Sequence, residues 1–198
     1  MRVGGAQREA MGHHTFDPER ADKLERAENR YRYVSAEELL WAIDPCHDDT
    51  VADLGSGTGF YTDVVAPRAG TVHAVDIQPT MHDYYREKGV PDNVELVTSG
   101  VDDLPFDDGA LDAAFSTMTY HEFATPGALS EIRRVIDSAG RFAIADWAAS
   151  GDGESGPPVE ERYSATEAVE ALHGAGFAVE FEAVRPETFL LVVTPSDD

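Results

Sequence analysis

Residues 53–60 read Asp53-Leu54-Gly55-Ser56-Gly57-Thr58-Gly59-Phe60, and no other stretch restricts the fold as strongly. The segment leaves a short β-rich run, Thr50–Leu54, and leads into a helical run over 60–66. Glycines at alternate positions let the backbone turn sharply after a strand and let a ligand lie against it with no Cβ in the way. In open α/β sheets, ligands sit at the carboxyl ends of the strands, where the strand order reverses. Asp76 closes the next β-rich run, 21 residues beyond Gly55. An acid there can accept both hydroxyls of a ribose. The dinucleotide pattern Gly-x-Gly-x-x-Gly would place its third glycine at position 60. Phe60 stands there instead and would obstruct the close helix–strand contact that pattern needs.

From residue 50 onward, strand-like and helix-like runs alternate. Further β-rich runs fall at 71–75, 94–98, 111–116, 140–147, 177–184 and 188–193. Helical runs fall at 79–87, behind the Thr125-Pro126 cap with Leu129, Ile132 and Ile136 on one face, and behind the Ser164-Ala165-Thr166-Glu167 capping box, ending near 174–176. Repeated βα units predict an α/β fold with a mostly parallel sheet and helices on both faces. Only Arg185-Pro186-Glu187 joins the last two strands, far too little for a parallel crossover, so they pair as an antiparallel hairpin. Upstream, Asp17-Pro18 reads as a helix start. Leu24, Ala27, Tyr31 and Val34 form one helix face, and Ser35-Ala36-Glu37-Glu38 is a capping box for a second helix that Pro45 ends. The expected organisation is a single domain: a disordered tail over 1–12, with Met11 a possible start, an N-terminal helical cap over 13–46, and the sheet domain over 47–198.

The chain of 198 residues carries 38 acidic and 15 basic side chains, a formal charge of −23, with Lys23 and Lys88 its only lysines. That excess opposes phosphate backbones and anionic lipid. It also strains a compact chain at low salt, a penalty that vanishes at about 1 M, where the Debye length is about 3 Å. The balance resembles proteins of salt-loving archaea. Cys46 stands alone, so no internal disulfide or multi-cysteine metal site is expected. His13-His14 lack a third ligand at a useful spacing. No apolar run reaches the roughly 18 residues of a membrane span, and no secretory leader is visible. A cytoplasmic protein with no metal, no nucleic-acid partner and no stable membrane insertion is expected.

The glycine motif, Val72-His73-Ala74-Val75-Asp76-Ile77, Asp102-Asp103-Leu104-Pro105-Phe106-Asp107-Asp108-Gly109 and Leu111-Asp112-Ala113-Ala114-Phe115-Ser116 together resemble the class I S-adenosylmethionine-dependent methyltransferases, in particular the UbiE-like small-molecule group. The resemblance covers roughly residues 35–194. It implies a Rossmann-like seven-stranded sheet with the last strand inserted antiparallel, and S-adenosyl-L-methionine as cofactor. It also implies roles. Asp53 orients the glycine loop and approaches the methionine ammonium. Gly55, Ser56, Gly57 and Gly59 let backbone pass beneath the cofactor. Asp76 holds the ribose, and Ile77 packs on the adenine. Where the family often has an acid this chain has Gly100, so Asp102, with the Val101 backbone beside it, meets the adenine amino group instead. Ser116 and Thr117 face the methionine end.

Methyl transfer from a sulfonium rests largely on alignment and exclusion of water, and a base is needed only where the acceptor loses a proton. His121, in Thr119-Tyr120-His121-Glu122-Phe123, is the titratable group placed to take that proton. The competing reading packs it beneath the cofactor or at a helix cap. Glu122 orients it or points to solvent. Asp146 meets substrate or caps its strand. Phe16 and the helix after it close over the substrate, with Tyr31, Tyr33 and Trp41 as aromatic lining or as core. Residues 151–158 form a gate, and Arg162 and Tyr163 recognise an acidic or polar acceptor.

The stretch Ser116-Thr117-Met118-Thr119 replaces the Asn/Asp-Pro-Pro-aromatic motif of amino-methylating relatives, and one cysteine excludes arsenite chemistry. A small molecule methylated at oxygen, carbon or sulfur remains, with quinone or lipid-like acceptors suggested by the resemblance. A non-catalytic S-adenosylmethionine or S-adenosylhomocysteine binder is the alternative, and an NAD-binding dehydrogenase a weaker one. The charge argument predicts that the melting temperature rises between low and molar KCl; a flat profile would remove the high-salt reading.

Overall fold

The computed structural model describes residues 18–196. The expected tail over 1–12, Met11, His13, His14, Phe16 and the Asp17 cap lie outside the described residues. Seven strands form one sheet: β1 (Thr50–Leu54), β2 (Thr71–Asp76), β3 (Val94–Thr98), β4 (Leu111–Thr117), β5 (Ile136–Trp147), β6 (Phe177–Val184) and β7 (Thr188–Pro195). Their order is β3-β2-β1-β4-β5-β7-β6, parallel throughout except that β7 runs antiparallel to both β5 and β6. This is the doubly wound sheet with a C-terminal hairpin that the alternating runs predict, and its strand order reverses between β1 and β4.

The strands alternate their side chains between two apolar layers, as a period of two requires. Ala52, Leu54, Ala114, Phe142 and Ile144 face one layer, packed by α6 (Pro126–Val135) and α7 (Ala165–Gly174). Val51, Ala113, Phe115, Ala143 and Ala145 face the other, packed by α2 (Ala36–Ile43), α3 (Thr62–Val65) and α4 (Pro79–Lys88). Both expected capping boxes form, at Ser35–Glu38 and at Ser164–Glu167.

Three boundaries differ from expectation. The helix predicted over 60–66 starts only at Thr62 and gives way to a 3-10 turn at Ala66–Arg68, because residues 57–61 are consumed by the turn out of β1. Ile136 leaves the helix and pairs with Leu111, so β5 begins four residues before Gly140. The single face through Leu24, Ala27, Tyr31 and Val34 breaks into a 3-10 turn, Pro18–Lys23, and α1 (Ala27–Tyr31). Arg26 between them is extended, at φ −82° and ψ 97°.

Gly59 has φ +78°, and a Cβ built there would lie 2.1 Å from the buried Tyr85 ring of α4. The third glycine of the motif therefore seats a helix against the loop. Gly59→Ala is expected to cost about 2–5 kcal/mol, combining overpacking with a left-handed backbone. Denaturant unfolding measures this, and unchanged stability would contradict the packing account.

Candidate active site

The loop after β1 is fastened to β2 by backbone. The amides of Gly55 and Ser56 both donate to the Val75 carbonyl, each at 2.9 Å. The Asp76 carboxylate continues the seam, accepting from the Gly57 amide and the Gln78 amide, each at 2.8 Å. From the other side, the turn after β4 brings Thr119 so close that a Cβ on Gly55 would lie 2.4 Å from its methyl carbon. Glycine is required at position 55 by that approach as well as by its φ of +80°. The two seams leave a cleft of about 270 Å³ at the carboxyl ends of β1, β2 and β4, where the strand order reverses.

Gly55, Ser56, Gly57, Asp76, Ile77, Val101, Asp102 and Thr117 lie on its wall. Ile77 is half exposed, a free apolar surface for a planar ring. At Gly100, a Cβ would lie 2.6 Å from Asp102 Oδ1, so the missing side chain makes room for the Asp102 carboxylate. Burial pushes the Asp76 carboxyl up from its ordinary range, against the lowering effect of its two amide donors.

The remaining expected residues stand off the wall. Asp53 is buried on the α3 side of the sheet and accepts from Thr62 Oγ1 at 2.7 Å. Burial drives it to about 7, with the Thr62 hydrogen bond and the Arg30 charge opposing. It braces the loop from beneath. Gly59 packs on Tyr85, as described above. Ser116 is buried within β4, its Oγ without a hydrogen-bond partner.

Arg30 was not singled out by any spacing in the sequence. It is the only cationic side chain on the cleft wall among the described residues. Its guanidinium lies 4.9 Å from the Tyr61 ring centroid and 5.7 Å from that of Phe60, and its buried Nε has no hydrogen-bond partner. The Tyr61 hydroxyl fixes the segment by donating toward the carbonyls of Arg30 and Val34. Glu25 holds it to the loop through Thr58 and to α4 through Lys88. Leu24 comes 3.5 Å from where a Gly57 Cβ would stand. These bonds tie the segment around Arg30 to the glycine loop and to α4. Phe60 lies on the wall and leaves the cleft open.

His121 sits on α5 (Tyr120–Phe123), a short helix absent from the sequence expectations. Its Nδ1 lies 3.0 Å from both oxygens of the fully buried Asp146, and Asp146 Oδ2 also accepts its backbone amide at 2.6 Å. Asp146 thus meets His121, and neither residue lines the cleft. Burial alone would lower the His121 pKa, but the Asp146 charge and hydrogen bond outweigh it and the net shift is upward. Glu122 does line the cleft, its Oε1 3.9 Å from His121 Nε2. Burial raises it to about 7, His121 opposing and Asp146 and Asp76 adding to the rise.

Other expectations are corrected. Arg162 is buried, paired with Glu187 at 3.2 Å and bonded to the Pro157 and Ser155 carbonyls, so it anchors the 151–158 loop and is closed to an acceptor. Gly156 lies against Trp147 and fixes the same loop. Tyr163 is partly buried against the first apolar layer. Trp41 stacks edge-on with Phe181 and Tyr33 with Trp147, and neither they nor Tyr31 lines the cleft.

Asp53 has an ordinary value near 3.8 and about 7 in the fold. The folded chain binds more protons than the unfolded chain between those values. This contribution to stability is therefore present at low pH and lost as pH rises through about 7. Asp53→Asn should flatten the fall in melting temperature of the ligand-free protein across that window; a slope the substitution leaves unchanged would contradict the assignment.

Comparison with known proteins bears on the family and the fold. A family described as a methyltransferase domain matches residues 52–144. A crystal structure of an S-adenosylmethionine-dependent methyltransferase from Aquifex aeolicus is 30% identical, covers 91% of this chain and 100% of its own, and superposes with a TM-score of 0.82. Demethylmenaquinone methyltransferase of Clavibacter sepedonicus is 31% identical over 153 residues, 76% of this chain and 55% of that protein. The biotin biosynthesis bifunctional protein BioHC of Cellvibrio japonicus is 35% identical over 114 residues, 57% of this chain and 22% of that protein. Matched stretches span 22–55% of the lengths of these curated relatives. The chain belongs to the S-adenosylmethionine-dependent methyltransferases.

Proposed function

We propose that the chain transfers a methyl group from S-adenosylmethionine to a small-molecule acceptor at oxygen, carbon or sulfur. One observation carries the reading most: the Asp76 carboxylate, backed onto the Gly57 amide, stands on the cleft wall at the strand-order switch. The residues fit the cofactor's chemistry. Asp76 accepts from ribose hydroxyls. Ile77 and Val101 flank the adenine, and Asp102 receives its amino group. Gly55, Ser56 and Gly57 let the methionine half lie against bare backbone, and the Ser56 hydroxyl there has no protein hydrogen-bond partner. Arg30, with its unsatisfied Nε, takes the methionine carboxylate. Thr117 borders the same end, while Asp53 and Ser116 support it from behind.

The cofactor supplies an electrophilic methyl on a positive sulfur. The chain's contribution is to align an acceptor in line with that methyl and to keep water out. Leu24, Phe60 and Met118 give that part of the wall an apolar surface. With the similarity to a demethylmenaquinone methyltransferase, this favours an acceptor bearing an apolar ring. Among the described residues, no helix is long and apolar enough to cross a membrane. The charge of −23 disfavours nucleic-acid acceptors and fits a cytoplasm of high salt.

Calorimetry with S-adenosylhomocysteine tests the cofactor site. Asp76→Ala should abolish measurable binding with the fold intact by circular dichroism. Arg30→Met should weaken binding about 10- to 100-fold, the range for losing a charged hydrogen bond. Unchanged affinity in either would overturn that residue's role. Release of S-adenosylhomocysteine from S-adenosylmethionine in the presence of a metabolite extract separates an enzyme from a non-catalytic binder.

A further inference from the structure

Glu122, His121 and Asp146 form a line running from the cleft wall into the core. Asp146 is fully buried and is held by the His121 backbone amide and ring. That geometry puts the Nδ1 proton between ring and carboxylate and turns Nε2 toward Glu122, 3.9 Å away. The gap is too long for a hydrogen bond but short enough for strong coupling where water is scarce. Of the three, only Glu122 reaches the cleft.

Its position along the cleft follows from chemistry. In the proposed cofactor the reacting sulfur is one carbon beyond the ribose, so the transferred methyl lies between the ribose acid Asp76 and the carboxylate clamp Arg30. Glu122 lies on α5, three residues after the Thr119 that borders Gly55, and it feels the Asp76 charge. Among the described residues, the charges that act on it are His121 from its own helix, Asp146 from β5 and Asp76 from β2, with Glu161 acting on His121; Arg30 and Asp102 line the same cleft.

We propose that Glu122 is the group that takes the acceptor's proton, and that the His121–Asp146 pair positions it and sets its charge. The assignment rests on the methyltransferase reading above. A lone pair of the acceptor forms the new bond to the methyl carbon. The sulfur–carbon bond breaks with its electrons going to sulfur, which becomes neutral, and the acceptor's proton passes to the Glu122 carboxylate. His121 is thereby a positioning residue, because its ring stands behind Glu122. A carboxylate at this spot also responds to the ligand's charge: a sulfonium favours its ionised form, and a neutral thioether does not.

The test needs no known acceptor. The full chain is titrated with S-adenosylmethionine and with S-adenosylhomocysteine in buffers of different ionisation enthalpy, from about pH 5.5 to pH 8.5. Near pH 7 the sulfonium ligand should release more protons on binding than the thioether. Glu122→Gln should bind both ligands and lose that difference. His121→Asn, which removes a cation that favours Glu122 ionisation, should move the midpoint of proton release to higher pH. With the extract that supports S-adenosylhomocysteine release, Glu122→Gln should lower turnover at least about 100-fold and remove the rise in rate through neutral pH. A ligand-dependent proton release that persists in Glu122→Gln, or a pH profile that the substitution leaves intact, overturns the role of Glu122 alone. Failure of the unaltered chain to bind either ligand overturns the methyltransferase reading with it.

Discussion

The cleft depends on one seam of hydrogen bonds. Val75 offers its carbonyl to two successive amides of the glycine loop, and Asp76 offers its carboxylate to a third and to the start of α4. Without this seam the residues after β1 have no reason to stay peeled back from the sheet. With it, the loop is held at the point where β1 and β4 diverge, and its unoccupied side becomes a binding surface. The acid that would grip a ribose is thus the same acid that builds the loop it faces. Binding and architecture share a side chain, and the backbone amides leave the carboxylate with lone pairs to spare.

Around that seam, burial places three carboxyl groups above their ordinary ionisation range: Asp53 beneath the loop, Asp76 on it and Glu122 across from it. A site that concentrates reluctant anions is suited to a ligand carrying positive charge, because the ligand relieves the cost of ionising them. Arg30 adds a cation to the same wall.

The sheet was legible because its strands are apolar runs cut by glycine, and because three residues cannot carry a parallel crossover. The glycine loop and Asp76 were legible because chemistry and backbone demand meet in one short motif. Much of the site was not. Asp146 finds His121 through the β4–β5 register, where Thr117 pairs with Ala145 and brings the next residues of both strands together; no local pattern reports that. Arg30 lies on the short helix α1, and no spacing in the sequence reports that this helix borders the cleft. Arg162 looked available for substrate because a sequence does not show that Glu187, from the far hairpin, lies against it. Gly59 reads as a cofactor contact in the sequence because the motif does not reveal that Tyr85 occupies its open side.

The central claim is that the seam between β1 and β2 cradles a nucleoside. A crystal structure determined after soaking with S-adenosylhomocysteine measures this most directly. The account requires the ribose on Asp76, the purine between Ile77 and Asp102, and the amino-acid end toward Arg30. Density for the ligand elsewhere, or a cleft filled by Phe60 with no place for the purine, would contradict it.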